Sequence, residues 1–160
     1  MRTGYRQLSD LGELADRVGE LRPQTIIVDV EPLVAYWDTG QDDLDRGVAR
    51  VTARLSAVPG LRVLCFATNS DRVPSALASP AAVRVLYLAS ARKPVALGPY
   101  HGLPRPGVVI GDQVATDGVL ARRLGYWFLL YGPPPSGMPL GPRLLGYGGR
   151  LLLPALFRPA

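Results

Sequence analysis

The segment Thr25-Ile26-Ile27-Val28-Asp29-Val30 narrows the choice of fold more than any other: four β-branched residues stand in a row without polar alternation, and a carboxylate follows. A strand that is apolar on both sides needs cover on both faces, which a parallel sheet flanked by helices provides. Asp29 then emerges at the carboxyl end of that strand. The pattern recurs down the chain, with short buried strands predicted at residues 61–67, 83–88, 108–110 and 126–131. Apolar residues at helical spacing predict a helix over 10–21, capped by Ser9, another over 42–58 carrying Leu44, Val48, Val51 and Leu55 on one stripe, and a third over 114–124. After the second predicted strand, prolines allow only a short helix. Strands and helices in alternation imply an α/β fold with a doubly wound parallel sheet.

A chain of 160 residues suits one domain with a proper core. Residues 1–131 hold all the predicted strands, and residues 132–160 read as a stiff Pro/Gly-rich linker followed by a basic, apolar tail. Cys65, the single cysteine, sits inside an apolar run and reads as a buried, inert thiol, which fits a reducing compartment. The first residues lack the apolar core of a signal peptide, and no run is apolar for the roughly eighteen residues that span a bilayer. A cytoplasmic location is the expectation. All thirteen acidic residues lie at or before Asp117, so Arg122, Arg123, Arg143, Arg150 and Arg158 form the whole positive excess. Such asymmetry implies an acidic partner surface.

Only one of the eighteen basic residues is a lysine, Lys93, and it lies in a loop between two predicted strands. Parallel sheets place their chemistry at the carboxyl ends of the strands. There the order of elements would gather Asp29 and Glu31 after the first strand, Thr68 and Asn69 after the second, Lys93 beyond the third, and Asp112 and Asp117 after the fourth. Each residue type has a use in phosphoryl chemistry. A carboxylate is a competent nucleophile once a hard cation screens its charge, and such cations prefer carboxylate oxygens, as Asp29 and Asp112 would supply. Glu31, two residues on along an extended chain, lies on the same side as Asp29, where an acid could protonate a leaving alcohol and then activate water. Thr68 and Asn69 offer hydrogen-bond donors to phosphate oxygens, and Lys93 offers a compact positive charge.

These residues resemble the motifs of the haloacid-dehalogenase-like superfamily, and in particular its YqeG-type subclass IIIA phosphatases. Asp29-x-Glu31, with Trp37-Asp38 downstream, is similar to the first motif, Thr68-Asn69 to the second, and Ala91-Arg92-Lys93-Pro94 to the third. Gly111-Asp112-Gln113-x-x-Thr116-Asp117, followed by Arg123-Leu124-Gly125, is similar to the fourth. The resemblance implies a Rossmann-like core without a cap domain. It implies Asp29 as nucleophile and Glu31 as acid/base that also ligates magnesium. It gives Thr68 and Asn69 phosphate contacts, Lys93 a charge-stabilising and phosphate-binding role, and Asp29, Asp112 and Asp117 to the metal. A magnesium-dependent phosphatase acting through an aspartyl phosphate is the activity implied, on an accessible phosphomonoester such as the lipid phosphatidylglycerophosphate. Where the family has Asp-x-Asp-Asn-Thr-Leu, this chain has Asp29-Val30-Glu31-Pro32-Leu33-Val34. That departure opens an alternative, an inactive domain of the same kind that binds a phosphorylated ligand or a partner protein.

The tail offers two further expectations. Its arginines and leucines would suit peripheral contact with the inner face of a membrane. Folding back over the sheet, or a homo-oligomeric contact, is the competing expectation, because three glycines and Pro154 weaken a continuous helix. Nucleic acid is disfavoured as a partner. His101 has no second histidine or cysteine near it and reads as a loop residue. Tyr36 and Trp37 read as packing, with lining of the site entrance as the alternative, Asp42, Asp43 and Asp45 as a solvated helix start, and Arg122 and Arg123 as a helix flank.

Overall fold

The computed structural model describes residues 4–8, 11–132 and 140–159. The expected Ser9 cap and the linker prolines lie outside the described residues, as do the side chains of Arg143, Arg150 and Arg158. The strands are β1 (Gly4–Leu8), β2 (Thr25–Asp29), β3 (Val63–Ala67), β4 (Arg84–Leu88), β5 (Gly107–Gly111), β6 (Trp127–Tyr131) and the two-residue β7 (Arg158–Pro159). The helices are α1 (Leu14–Glu20), α2 (Gln41–Leu55), α3 (Val119–Leu124) and α4 (Leu140–Leu156). Every strand pairing is parallel, and the sheet runs β4-β3-β2-β5-β6-β1-β7. The fold is α/β and compatible with a Rossmann-like arrangement.

Alternate residues of the central strands face opposite layers, as the pleat requires. Ile26, Val28, Leu64, Phe66, Val108 and Ile110 pack with Leu14 and Val18 of α1 and with Leu44, Val48, Val51 and Leu55 of α2. Ile27, Val63, Cys65, Val109 and Phe128 pack on the other face with Leu120, Ala121 and Leu124 of α3 and with Phe157. Two covered faces explain why β2, β3 and β5 are buried along their whole length. Because β3 follows β2 on one side and β5 lies on the other, the strand order reverses between β2 and β5. A crevice opens there beyond the carboxyl ends.

One strand is added and two expectations are corrected. Residues 4–8 form a strand with little local signal: only Tyr5 and Leu8 are large and apolar, and the segment is held by β6 on one side and β7 on the other. No helix forms in 71–82. Pro74 and Pro80 fall within that stretch, and its backbone is tied down instead by side chains, with Asp45 accepting from Ser75 N (2.9 Å) and Gln41 donating to Val73 O (2.9 Å). Finally, the tail forms a continuous 17-residue helix despite its glycines and Pro154. Pro154 falls in the last turn, where it removes one intrahelical hydrogen bond and only two helical residues follow it. Gly149 serves as a contact point, since a Cβ there would stand 3.1 Å from Val114 Cβ and 3.2 Å from Ala115 N. Just past α4, Phe157 is buried and stacks on Phe128 at 5.6 Å, so the helix lies back against the core.

Candidate active site

The crevice at the reversal point collects residues from the ends of four strands. Asp29 ends β2 and Thr68 follows β3. Lys93 lies in the irregular stretch after β4, Asp112 follows β5, and Asp117 sits in a π-helical turn, Val114–Gly118, that leads into α3. Thus the structure brings Asp29, Lys93, Asp112 and Asp117 together, with Glu31, Thr68 and Asn69 beside them.

Lys93 has no secondary structure to place it, and two remote side chains do so. Asn69 Nδ2 donates to Lys93 O (3.1 Å) while Lys93 N donates to Asn69 Oδ1 (2.7 Å), a two-point clamp on the backbone of one residue. Arg123 Nη1 donates to Pro94 O (2.6 Å) and Val95 O (3.1 Å) immediately downstream. The ammonium then reaches Asp29 Oδ1 at 2.7 Å and Asp117 Oδ1 at 2.8 Å, in a setting where the Lys93 side chain is only 3% exposed. Asp117 is fully buried, and its second oxygen accepts from Gln113 N at 3.3 Å. Gly111 makes room for it, because a Cβ there would overlap the Asp117 carboxylate.

The charges do not balance. Asp29, Asp112 and Asp117 can each offer an oxygen within 4.8 Å of the others, against the single ammonium of Lys93. Burial pushes the Asp29 carboxyl well above its usual range; Asp117 adds to that, and Lys93 opposes it. Burial and then Asp117 likewise raise Asp112, to about 7. For Lys93, burial disfavours the charged form, but Asp117 and Asp29 outweigh it and its pKa rises. Asp112 Oδ1 is buried with no hydrogen-bond partner among the described residues. Hard oxygen ligands, surplus negative charge and an unsatisfied buried oxygen together fit a metal ion.

The Glu31 side chain stands apart from that cluster. Thr68 Oγ1 donates to Glu31 Oε2 (2.6 Å), Ser70 Oγ donates to Glu31 Oε1 (3.2 Å), and Ser70 N donates to Thr68 Oγ1 (2.9 Å). Thr68 is fully buried, so its hydroxyl faces Glu31 and Ser70 rather than solvent. Leu33 and Val34 turn inward and join the core on the α2 side, which accounts for apolar residues just after Glu31. Sequence reasoning missed Ser70 and Arg72; the hydroxyl two residues beyond Thr68 was the available signal for the first. A cleft of about 310 Å³ opens over the site, lined by Asp29, Glu31, Trp37, Thr68, Asn69, Ser70, Lys93, Gln113 and Thr116.

The remaining candidates sort themselves by position. Trp37 lines the cleft, the less favoured of its two expected places, and Tyr36 is exposed. Asp42 and Asp43 occupy the exposed first turn of α2, with Asp43 paired to Arg46 at 2.6 Å. His101 is an exposed loop residue. No helix is long and apolar enough to cross a membrane among the described residues. Comparison with known protein families, with curated proteins and with solved structures finds no match to this chain.

Proposed function

We propose that this chain is a magnesium-dependent phosphomonoesterase of the haloacid-dehalogenase-like kind, using Asp29 as nucleophile. The observation that carries the reading is the surplus of buried carboxylate around Lys93, including a buried, unpartnered Asp112 oxygen, beside a cleft lined by Asp29 and Lys93. Asp29, Asp112 and Asp117 would hold the cation, whose positive charge would screen the nucleophile from the incoming phosphate. In the first step an Asp29 oxygen bonds to phosphorus, the bond from phosphorus to the ester oxygen breaks, and the leaving alkoxide takes a proton from Glu31. In the second, water attacks the same phosphorus, gives its proton to Glu31, and releases Asp29 with inorganic phosphate. Lys93, with two of its three N–H groups on carboxylates, has one left for a phosphoryl oxygen. Preorganised charge of this kind is usually the largest single contribution to catalysis.

The connections after β2 and β3 carry no inserted domain, and the cleft is open. An exposed phosphate on a large carrier suits such a site, a lipid headgroup among them, with the α4 segment as a peripheral membrane contact. A second reading, a binding domain without turnover, draws support from the way Glu31 and Thr68 already satisfy each other.

Hydrolysis of an aryl phosphate with magnesium separates the two. Turnover is expected, with chelator abolishing it and Asp29→Asn lowering it by at least about a thousandfold, the scale of losing an essential group. An inert native chain that still binds inorganic phosphate in a magnesium-dependent way would favour the second reading.

A further inference from the structure

Residues 69–75 pass over the open end of the sheet without secondary structure, and one side chain there makes contacts that folding alone does not demand. Arg72 Nη1 donates to Tyr36 O (2.8 Å) and Nη2 to Thr39 O (2.9 Å). The two carbonyls flank Trp37 and Asp38, and the Thr39 hydroxyl ties the same turn by donating to Tyr36 O at 2.8 Å. The Arg72 guanidinium also lies 3.7 Å from Glu31 Oε1, with its side chain 21% exposed. A planar fork can hold two carbonyls from separate nitrogens and stand beside a carboxylate, a spread that the single nitrogen of an ammonium does not reproduce. Trp37 and Glu31, the two groups Arg72 reaches directly or across one peptide, both line the cleft.

We infer that Arg72 is a positioning residue that fixes Glu31 and the Trp37 wall relative to each other at the cleft mouth. Its arms are taken up by backbone carbonyls, so it acts through those groups and not on a phosphate. The effect on Glu31 chemistry rests on the phosphatase reading; the effect on Trp37 does not.

The test therefore has two arms. With Trp127→Phe as background, Trp37 is the sole tryptophan, since the chain has two. Adding Arg72→Ala should raise acrylamide quenching of Trp37 about twofold or more, with Arg72→Lys in between, as expected when a local tether is released. Unchanged quenching in folded protein overturns the inference, whatever the activity. If Arg72→Ala does not fold, Arg72→Lys, which keeps charge and stem, carries the comparison. In the second arm, alkyl and p-nitrophenyl phosphates are compared. An alkoxide leaving group needs a well-placed acid and a nitrophenolate does not, and such acids contribute about a hundredfold or more. Arg72→Ala should then cost about tenfold or more on the alkyl ester but less than about threefold on the aryl ester, with little added loss in a Glu31→Gln background. Equal losses on both esters would show that Arg72 does not place Glu31. If the native chain cleaves neither ester, the phosphatase reading fails, and the quenching arm still decides whether Arg72 positions the wall.

Discussion

The two halves of the cleft solve opposite problems. Around Lys93, three carboxylates share one ammonium and a buried oxygen of Asp112 has no partner. Around Glu31, one carboxylate receives a hydroxyl on each oxygen, from Thr68 and Ser70. The first half carries surplus negative charge and could hold a cation; the hydrogen bonds of the second are already made between its own side chains. Unsatisfied buried polar groups are rare in folded proteins, so the one at Asp112, beside two further buried carboxylates, is a candidate position for a cation.

Breaking the first half should cost most. Lys93→Met keeps the stem but leaves Asp29 and Asp117 buried without their cation, and removing one member of a buried ion pair destabilises by about 3–5 kcal/mol. Denaturant unfolding without metal should show that loss. A change below about 1 kcal/mol would mean that water reaches the pair. Breaking the second half should show in rate more than stability. Glu31→Asp withdraws the carboxylate by one methylene from Thr68 and Ser70, and a misplacement of about 1 Å can cost about a hundredfold in turnover. Faster turnover would mean that the two hydroxyls restrain Glu31, reversing the comparison.

A milder change sharpens the contrast. Asp112→Asn removes one negative charge from the crowded half, so the metal-free protein should become more stable by about 1–2 kcal/mol, as often happens when a strained site is relieved. On the proposed reading magnesium should raise the melting temperature of the native chain by binding the folded state, and it should raise that of the variant far less. Thermal melts with chelator and with magnesium check both statements. An unstabilised variant would mean that the cluster is not strained by its own charge.

How much of this was legible beforehand depended on the kind of signal. β2, β3 and β5 were readable because burial on both faces leaves an unbroken apolar run. Their carboxyl ends gave Asp29, Thr68 and Asp112 almost directly. β1 was not readable, since it contributes one strand near the sheet's edge with little apolar content. α4 was misread because Gly149 and Pro154 count against a helix locally, while contact with Val114 and Ala115 decides the matter from a distance. The site showed the same division. Lys93 stood out by its rarity, but the Asn69 clamp and the Arg72 fork link residues 24 and more than 30 positions apart. No local pattern encodes such pairs.

The smallest effect probes how dry the Lys93 half is from behind. Cys65, in the middle of β3, is fully buried, and burial pushes its thiol up to about 12, with Lys93 and Arg84 pulling the other way. In the unfolded chain the thiol ionises near its ordinary value of 9.0. Between those two values the unfolded chain has given up a proton that the folded chain keeps, so rising pH favours unfolding. The contribution is intact below pH 9 and is lost progressively toward 12. Over the single unit from pH 9 to 10 the loss amounts to about 1 kcal/mol. Tyr87, raised to about 12 chiefly by burial, adds its share mainly above pH 10, so the lower window belongs largely to Cys65. Unfolding free energies measured across it should fall less steeply in Cys65→Ala than in the native chain, whatever the variant costs at pH 7. Equal slopes would mean that the thiol ionises in the folded state, and hence that water penetrates the sheet beneath Lys93.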